Sequence, residues 1–593
     1  MTSAEKVAAL RQLMLEHQLS AFIVTNADPH LSEYMPDHYK YRAWLSGFTG
    51  SAGTVLITDT MAGLWTDGRY YLQAERQLAG SGISLFRAAE PGTPTIVEYM
   101  AEHLENGARL GFDGMAVDSS LFIQLKKQLK KKQIQFVPDL PLVATLWQQD
   151  RPELPGHILS ALDMQFTGCD TAGKLAAVRT QMDKLGLDVY FCGCLEACAW
   201  FTNLRSSGII TFNTTFPAYL IIEETKAVFF VEAFRLASEL KDSIKQQGVE
   251  VREYGEVVDY VRALQPNLEV GLAPRWTNAL IYNSLPASVV KSEIDDIITA
   301  LKAVKNTAEI EAITEGHLQD GAAFVQFLRW FEAQPAGSLT EWDVSGKLTE
   351  LRANRPGEIC DAFNGIVAYG ANAAMMHYAP SAANPVTIEN HGFLLMDSGG
   401  QYPGCTTDIT RTISCGSLTD EEKAQFTWVL KSVIGLSRAV FLEGTSGLAL
   451  DILSRGKMWE HGLDYKCGTG HGVGAGLSVH EGPQSFSTPV KLVKNMVLTI
   501  EPGIYLDNVR GIRTENQVYV AEACTIEGAG RFFRFQEFTM APIDISAIDI
   551  ALLDDVELDW LNQYHERVAE ALCSYLSEEE NTWLAEKTAA LHR

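Results

Sequence analysis

The segment Lys6-Val7-Ala8-Ala9-Leu10-Arg11 returns as Lys174-Leu175-Ala176-Ala177-Val178-Arg179, an offset of 168 residues. At the same offset Met182 and Leu187 answer Met14 and Leu19, and each copy leads into an apolar run, Ala21-Phe22-Ile23-Val24 or Val189-Tyr190-Phe191. A helix followed by a strand, repeated at domain-sized spacing, predicts two related α/β domains in succession. Thr2 with Glu5 marks the first helix start, with Val7, Leu10, Leu13 and Met14 forming its apolar stripe. The Pro- and Gly-containing stretch Asp150–Gly156 separates the copies. With 593 residues the chain is too long for one core, so a further domain is expected beyond them. The boundaries read as 1–150, 157–300 and 301–593.

The third region opens at Asp296–Lys305, and Asn306 with Glu309 starts a long helix bearing Phe324, Phe327, Leu328 and Phe331. Thr340 and then Thr419-Asp420-Glu421-Glu422 start further helices, and 543–593 reads as a mostly helical extension. Within this region acidic residues stand where strands end. Phe393-Leu394-Leu395-Met396 runs into Asp397-Ser398-Gly399, and the β-branched stretch Thr406–Thr412 carries Asp408. The two stretches read as a hairpin, and side-chain alternation lets both aspartates converge. His471 lies among the glycines of Gly468–Gly474, Glu501 ends the apolar run Val497–Ile500, and Glu515 follows Arg513-Thr514. Carboxylates at the tips of apolar strands need a cation or hydrogen bonds. Four carboxylates and one imidazole suffice for two divalent ions.

This ordered set resembles the dinuclear centre of the pita-bread metallopeptidases, among them methionine aminopeptidase, prolidase, aminopeptidase P and the metal-free creatinase. Within that group the chain is most similar to the cytosolic, three-domain aminopeptidase P. Further matches are Met376-His377-Tyr378-Ala379-Pro380, Val479-His480-Glu481-Gly482-Pro483 and Gly511-Ile512-Arg513-Thr514-Glu515. Blocks at Tyr41–Gly53 and Trp65–Tyr70 resemble motifs of the family's N-terminal domain. The resemblance implies an α/β (α+β) protein: two creatinase-like domains followed by a pita-bread catalytic domain. It implies a metal-dependent aminopeptidase that cleaves an N-terminal residue from a penultimate proline by a metal-bridging hydroxide.

The metal ligands so implied are Asp397, Asp408, His471, Glu501 and Glu515, with Asp408 and Glu515 shared between two ions. Mn²⁺ is the implied metal, with Zn²⁺ or Co²⁺ as substitutes. Glu501 would be general base, His377 and His480 hydrogen-bond donors to the substrate, and Arg513 the residue orienting a ligand. Peptides with N-terminal Xaa-Pro are the expected partners, and a homodimer through the third domain is expected. The alternatives are a prolidase, or an inactive binding module that has kept the fold.

The formal charge of -26 argues against nucleic acid or anionic membrane as partner. No run reaches ~18 apolar residues, and Met1–Lys6 lacks the layout of a signal peptide, so a cytoplasmic protein with reduced thiols is expected. Cys192, Cys194 and Cys198 read as buried thiols, and Lys126–Lys132 as a solvated helix face. Two departures from the family pattern stand out. Cys405 replaces a glycine near Asp408, exposing the site to oxidation, and Leu195–Trp200 differs from the acidic-hydrophobic version usual in the family.

Overall fold

The computed structural model describes residues 1–593. They form two compact units: Met1–Ala161, Cys169–Thr211 and Thr215–Ile298 in the first; Leu162–Gly168, Phe212–Thr214 and Thr299–Arg593 in the second.

The first unit contains the repeat. Strands β1 (Ala21–Val24), β2 (Thr54–Thr58), β3 (Ala62–Thr66), β4 (Ser84–Arg87), β5 (Arg109–Phe112) and β6 (Gln135–Val137) form one sheet in the order 4-3-2-1-5-6. Strands β7 (Val189–Cys192), β8 (Tyr219–Glu223), β9 (Ala227–Phe230), β10 (Glu250–Arg252), β11 (Glu269–Leu272) and β12 (Val290–Glu293) form a second, in the order 10-9-8-7-11-12. In both, the three strands at the centre of the first half run antiparallel and the other neighbours run parallel. The helices α1 (Ser3–Glu16) and α2 (Thr171–Leu185) are the repeated segments. Val7, Leu10 and Met14 are buried on one, and Leu175, Val178 and Met182 on the other.

Even the charged members of the repeat do the same work. Lys6 Nζ donates to the Trp44 carbonyl at 2.7 Å and sits over that indole, as Lys174 Nζ does with Trp200, also at 2.7 Å. Arg11 and Arg179 each donate through Nε to the carbonyl that ends the second strand of their sheet, Thr58 or Glu223. Cys192, Cys194 and Cys198 are buried here. The lysine run divides, with Lys126 and Lys127 in the last turn of a helix that ends at Gln128 and Lys130–Lys132 in a separate 3₁₀ turn.

The second unit is built on α3 (Thr307–Glu332), opened by an Asn306–Glu309 capping box, and α4 (Glu341–Ala353), opened by Thr340 with Asp343. One sheet has the order β13 (Ile366–Tyr369), β14 (Phe393–Ser398), β15 (Ile409–Ser414). A second runs β16 (Val440–Leu442), β21 (Gly530–Glu537), β20 (Asn516–Ile526), β17 (Val497–Ile500). The pair β18 (Gly503–Leu506) and β19 (Arg510–Arg513) makes a two-stranded ribbon. Helix α5 (Asp420–Ser437), capped by Thr419 and Glu422, and the C-terminal helix α6 (Asp555–Leu572) share one apolar cluster with Ile504 and Ile512 of that ribbon. No helix is long and apolar enough to cross a membrane.

The stretch 406–412 is not one continuous strand. It breaks between Thr406 and Ile409, and Asp408 sits in the break. Cys405 points away from that residue: its Sγ lies 3.5 Å from the Ile313 carbonyl, in an apolar cluster with Tyr402, Val473, Val497 and Phe538. Gly316 of α3 faces it, where any Cβ would collide with the sulfur. Burial pushes this thiol well above its ordinary pKa. Thiolate is the reactive form, so the oxidation sensitivity expected from the position of Cys405 does not arise.

Candidate metal centre

The register of β14 against β15 places Asp397 opposite Thr410. Asp408 lies in the break just before β15, near enough to Asp397 for the charge of one aspartate to bear on the other. Glu515 enters from the turn before β20: its N–H donates to the Thr410 carbonyl at 3.0 Å, and Thr410 Oγ1 donates to Glu515 Oε2 at 2.6 Å. On the other side, the glycine-rich stretch 468–474 runs along β17. Thr499 N–H donates to the His471 carbonyl and Glu501 N–H to the Thr469 carbonyl, both at 2.8 Å. Only a residue without Cβ fits at 470, because a side chain there would strike the Thr499 carbonyl oxygen. That close approach puts His471 beside Glu501.

Side-chain donor atoms of Asp408, His471 and Glu515 thereby lie within 4.8 Å of one another. His471 Nε2 is 3.4 Å from Asp408 Oδ2 and 3.5 Å from Glu501 Oε1. His471 Nδ1 is 3.0 Å from the Gly472 carbonyl, which can only accept, so Nδ1 carries a proton and Nε2 faces the carboxylates. The His480 ring stands edge-on to His471, with centroids 4.3 Å apart. Arg513 Nη2 donates to Asp397 Oδ2 at 2.5 Å, Nε to Thr410 Oγ1 at 3.0 Å and Nη1 to Tyr505 OH at 2.7 Å. His377 lies in the turn that follows a 3₁₀ segment, Gly370–Ala374. Its segment is tied down on both sides by Glu341, which accepts from Asn372 Nδ2 at 3.1 Å and from Tyr378 OH at 2.7 Å.

Several supporting residues carry no signal in the sequence. Thr410 and Tyr505 are two, and Lys302 and Lys305 are two more. The last pair, both buried, flank Glu481 at 2.6 and 3.1 Å and so anchor the loop bearing His480.

The electrostatics are those of a cation site. Burial and the charges of Asp397 and Glu501 lift Asp408 to about 6, against the opposing effect of His471. Burial and the neighbouring Asp408, Glu501 and Asp397 lift Glu515 well above the carboxylate range. Burial alone would lower His471, but Asp408 and Glu501 outweigh it and raise it to about 9. Asp397 Oδ1 and Glu515 Oε1 are buried without any hydrogen-bond partner. Orphaned anionic oxygens in an oxygen-rich, single-imidazole donor set fit hard to borderline divalent ions.

Binding such an ion requires these groups to shed their protons. Affinity for Mn²⁺ is therefore expected to fall as pH drops through about 6 and to rise toward about 9, where His471 gives up its proton. Calorimetric titration of chelator-treated protein across that range checks this, and a flat profile contradicts it.

A model of metallopeptidase family M24 matches residues 311–522, and one of the C-terminal region of that family matches 531–591. Two models of the creatinase/prolidase N-terminal domain match 6–146 and 150–309. Aminopeptidase P2 of Arabidopsis thaliana is 37% identical over 615 aligned residues, covering 96% of this chain and 86% of its own. Xaa-Pro aminopeptidase 1 of Dictyostelium discoideum is 34% identical, covering 98% and 94%. The crystal structure of X-prolyl aminopeptidase from Caenorhabditis elegans, described as a cytosolic enzyme with a dinuclear active site, superposes with a TM-score of 0.94. It is 33% identical and covers 100% of both chains. A Xaa-Pro dipeptidase from Bacillus anthracis shares the fold over 63% of this chain and 99% of its own, with a TM-score of 0.51 and 23% identity.

Proposed function

The chain belongs to the aminopeptidase P family of M24 metallopeptidases, and on that premise we propose the residues by which it works. The reaction is metal-dependent removal of the N-terminal residue from peptides whose second residue is proline. Similarity to aminopeptidases P along the whole chain favours this over a prolidase. The observation that supports the site reading is the grouping of Asp408, His471 and Glu515, with Glu501 beside His471, the charge of Asp397 bearing on Asp408 and Glu515, and two buried carboxylate oxygens left unpaired.

Asp397, Asp408, His471, Glu501 and Glu515 hold two divalent ions, with Mn²⁺ the metal best suited to this donor set. A divalent ion held there would supply Lewis acidity, lowering the pKa of bound water and drawing charge from the scissile carbonyl. The protein's own groups do the rest. Glu501, steadied by Thr499 Oγ1 at 3.4 Å, takes the proton of the attacking water and passes it to the departing proline nitrogen. His480 and His377 donate hydrogen bonds to the substrate carbonyl as it gains negative charge. Arg513 fixes the direction of Asp397, and Thr410 that of Glu515. A cytosolic setting is supported by the description of the C. elegans enzyme. A homodimer formed through the second unit, and domain limits at 150–157 and 300–301, complete the reading.

The test is hydrolysis of Arg-Pro-Pro, Arg-Ala-Ala and the dipeptide Ala-Pro by chelator-treated protein, with and without Mn²⁺. Metal-dependent release of arginine from Arg-Pro-Pro alone is expected. Cleavage confined to Ala-Pro would replace the reading with a prolidase. Absence of cleavage despite bound metal would point to a binding module.

A further inference from the structure

Behind the hairpin that carries Asp397 and Asp408 lies a buried ion pair with no part in the chemistry above. Asp320 comes from the middle of α3 and Arg352 from the last turn of α4, and their side chains are 0% and 2% exposed. Arg352 Nε donates to Asp320 Oδ1, and Nη2 reaches Oδ2 at 3.4 Å. Taking both charges out of water is expensive, and an apolar pair of similar volume often folds as well or better. Stability therefore does not account for the pair.

Its remaining hydrogen bonds do. Arg352 Nη2 donates to Ser398 Oγ at 3.0 Å, and Thr407 Oγ1 donates to Asp320 Oδ2 at 2.9 Å. Ser398 is the residue after Asp397, and Thr407 the residue before Asp408. Thr407 Oγ1 also accepts from the Gly400 N–H at 2.8 Å, and Tyr402 OH lies 3.3 Å from Asp320 Oδ1, so the loop between the two aspartates is gripped along its length. The loop crosses itself tightly: a Cβ on Gly399 would collide with the Thr407 carbonyl. Because neighbouring strand residues face opposite ways, Ser398 turns toward the helices while Asp397 turns into the carboxylate cluster. The ion pair thus reaches the neighbours of both aspartates from the helix side of the hairpin.

We propose that Asp320 and Arg352 are positioning residues that set the spacing of Asp397 and Asp408 and thereby the affinity of the site for its metal ions. The inference rests on the reading of those two aspartates as ligands. It predicts a defect in metal binding that is separate from folding.

The experiment compares three full-length variants after chelator treatment: Ser398→Ala/Thr407→Val, which cuts both outward bonds and leaves the ion pair, Asp320→Leu/Arg352→Met, and Asp397→Asn. Calorimetric titration with Mn²⁺, metal-free melting temperature, and kcat and KM for Arg-Pro-Pro are measured on each. Both double variants are expected to bind Mn²⁺ about tenfold to a hundredfold more weakly, the usual effect of losing groups that orient ligands. Ser398→Ala/Thr407→Val should keep a metal-free melting temperature near that of the parent, and its kcat should fall more than its KM changes. Unchanged Mn²⁺ affinity in Ser398→Ala/Thr407→Val overturns the proposal, whatever happens to the fold of the other double variant. Parental affinity in Asp397→Asn would instead refute the ligand reading beneath it.

Discussion

Glu515→Gln is expected to leave the metal-free protein at least as stable as the parent while abolishing most of what metal adds. Glu515 is buried, one of its oxygens has no partner, and three carboxylates surround it. A carboxyl whose pKa is raised by folding binds more protons in the folded state than in the unfolded chain. Stability of the metal-free protein then falls as pH rises out of the ordinary carboxylate range, and Asp408, lifted to about 6, adds to that loss. Glutamine removes one of these charges, keeps an acceptor for Thr410 and offers an N–H to the neighbouring carboxylates.

Metal binding is a different matter. A cation at a thousandfold excess over its dissociation constant stabilises the folded state by about 4 kcal/mol, and with Glu515 in the proposed role its loss removes most of that. Peptidase activity should drop on the order of a thousandfold or more, since the site loses its main electrostatic element. Melting curves of parent and variant near pH 8, each with chelator and with Mn²⁺, read both effects. A variant that melts lower without metal yet retains the full metal-induced shift would count against this account.

The same charges explain why so acidic a cluster can be built at all. The folded chain brings Asp397, Asp408, Glu501 and Glu515 together, with Arg513 and His471 as the cationic partners of their side chains. Arg513 is itself committed to Asp397, Thr410 and Tyr505, so it orients one carboxylate and leaves the others in deficit. Stability is thereby held back at the place where cation binding will return it. The glycine stretch 468–474 serves the same end, allowing main chain rather than side chain to line β17 so that the imidazole reaches the carboxylates.

How far the sequence revealed this depends on the range over which each feature is encoded. The duplicated half was legible because helix stripe, lysine and arginine recur together at one offset, and each pair has the same job in both sheets. Helix starts at Thr2, Asn306 and Thr419 were legible because a capping box is a four-residue code. The strand break at Asp408 was hidden, since five of the seven residues in Thr406–Thr412 are β-branched and local preference cannot register that the chain must turn there. Cys405 looked adjacent to the site because adjacency along the chain is all a sequence displays. Its actual neighbours, Ile313 and Gly316, are about ninety residues earlier. For the same reason Lys302, Lys305, Asp320 and Arg352 were invisible: each works through partners far away in sequence, with no period or motif to announce them.

Arg411 makes another such long-range tie, and Arg411→Met is expected to show it. The side chain is 2% exposed and all its nitrogens are engaged. Nε donates to the Pro542 carbonyl at 3.1 Å; Nη1 to the carbonyls of Thr410 and Glu515 at 2.8 and 2.6 Å; Nη2 to Asn516 Oδ1, the Ala541 carbonyl and Tyr564 OH at 2.8, 2.9 and 2.8 Å. One guanidinium thus joins β15, the turn bearing Glu515, and helix α6 of the C-terminal segment. Methionine fills the space but leaves several buried carbonyls unpaired, a loss of about 3–5 kcal/mol and roughly 10 °C in the melting temperature of this unit. Arg411→Lys should recover little, because a single ammonium cannot serve acceptors spread around a planar fork. Mn²⁺ affinity should fall in both variants, since the Glu515 carbonyl loses its anchor. Thermal unfolding followed by circular dichroism, with Mn²⁺ titration at a temperature where the variant remains folded, separates the two effects. Parental melting in Arg411→Met would mean that apolar packing alone holds the C-terminal helix, and that the catalytic turn does not depend on it.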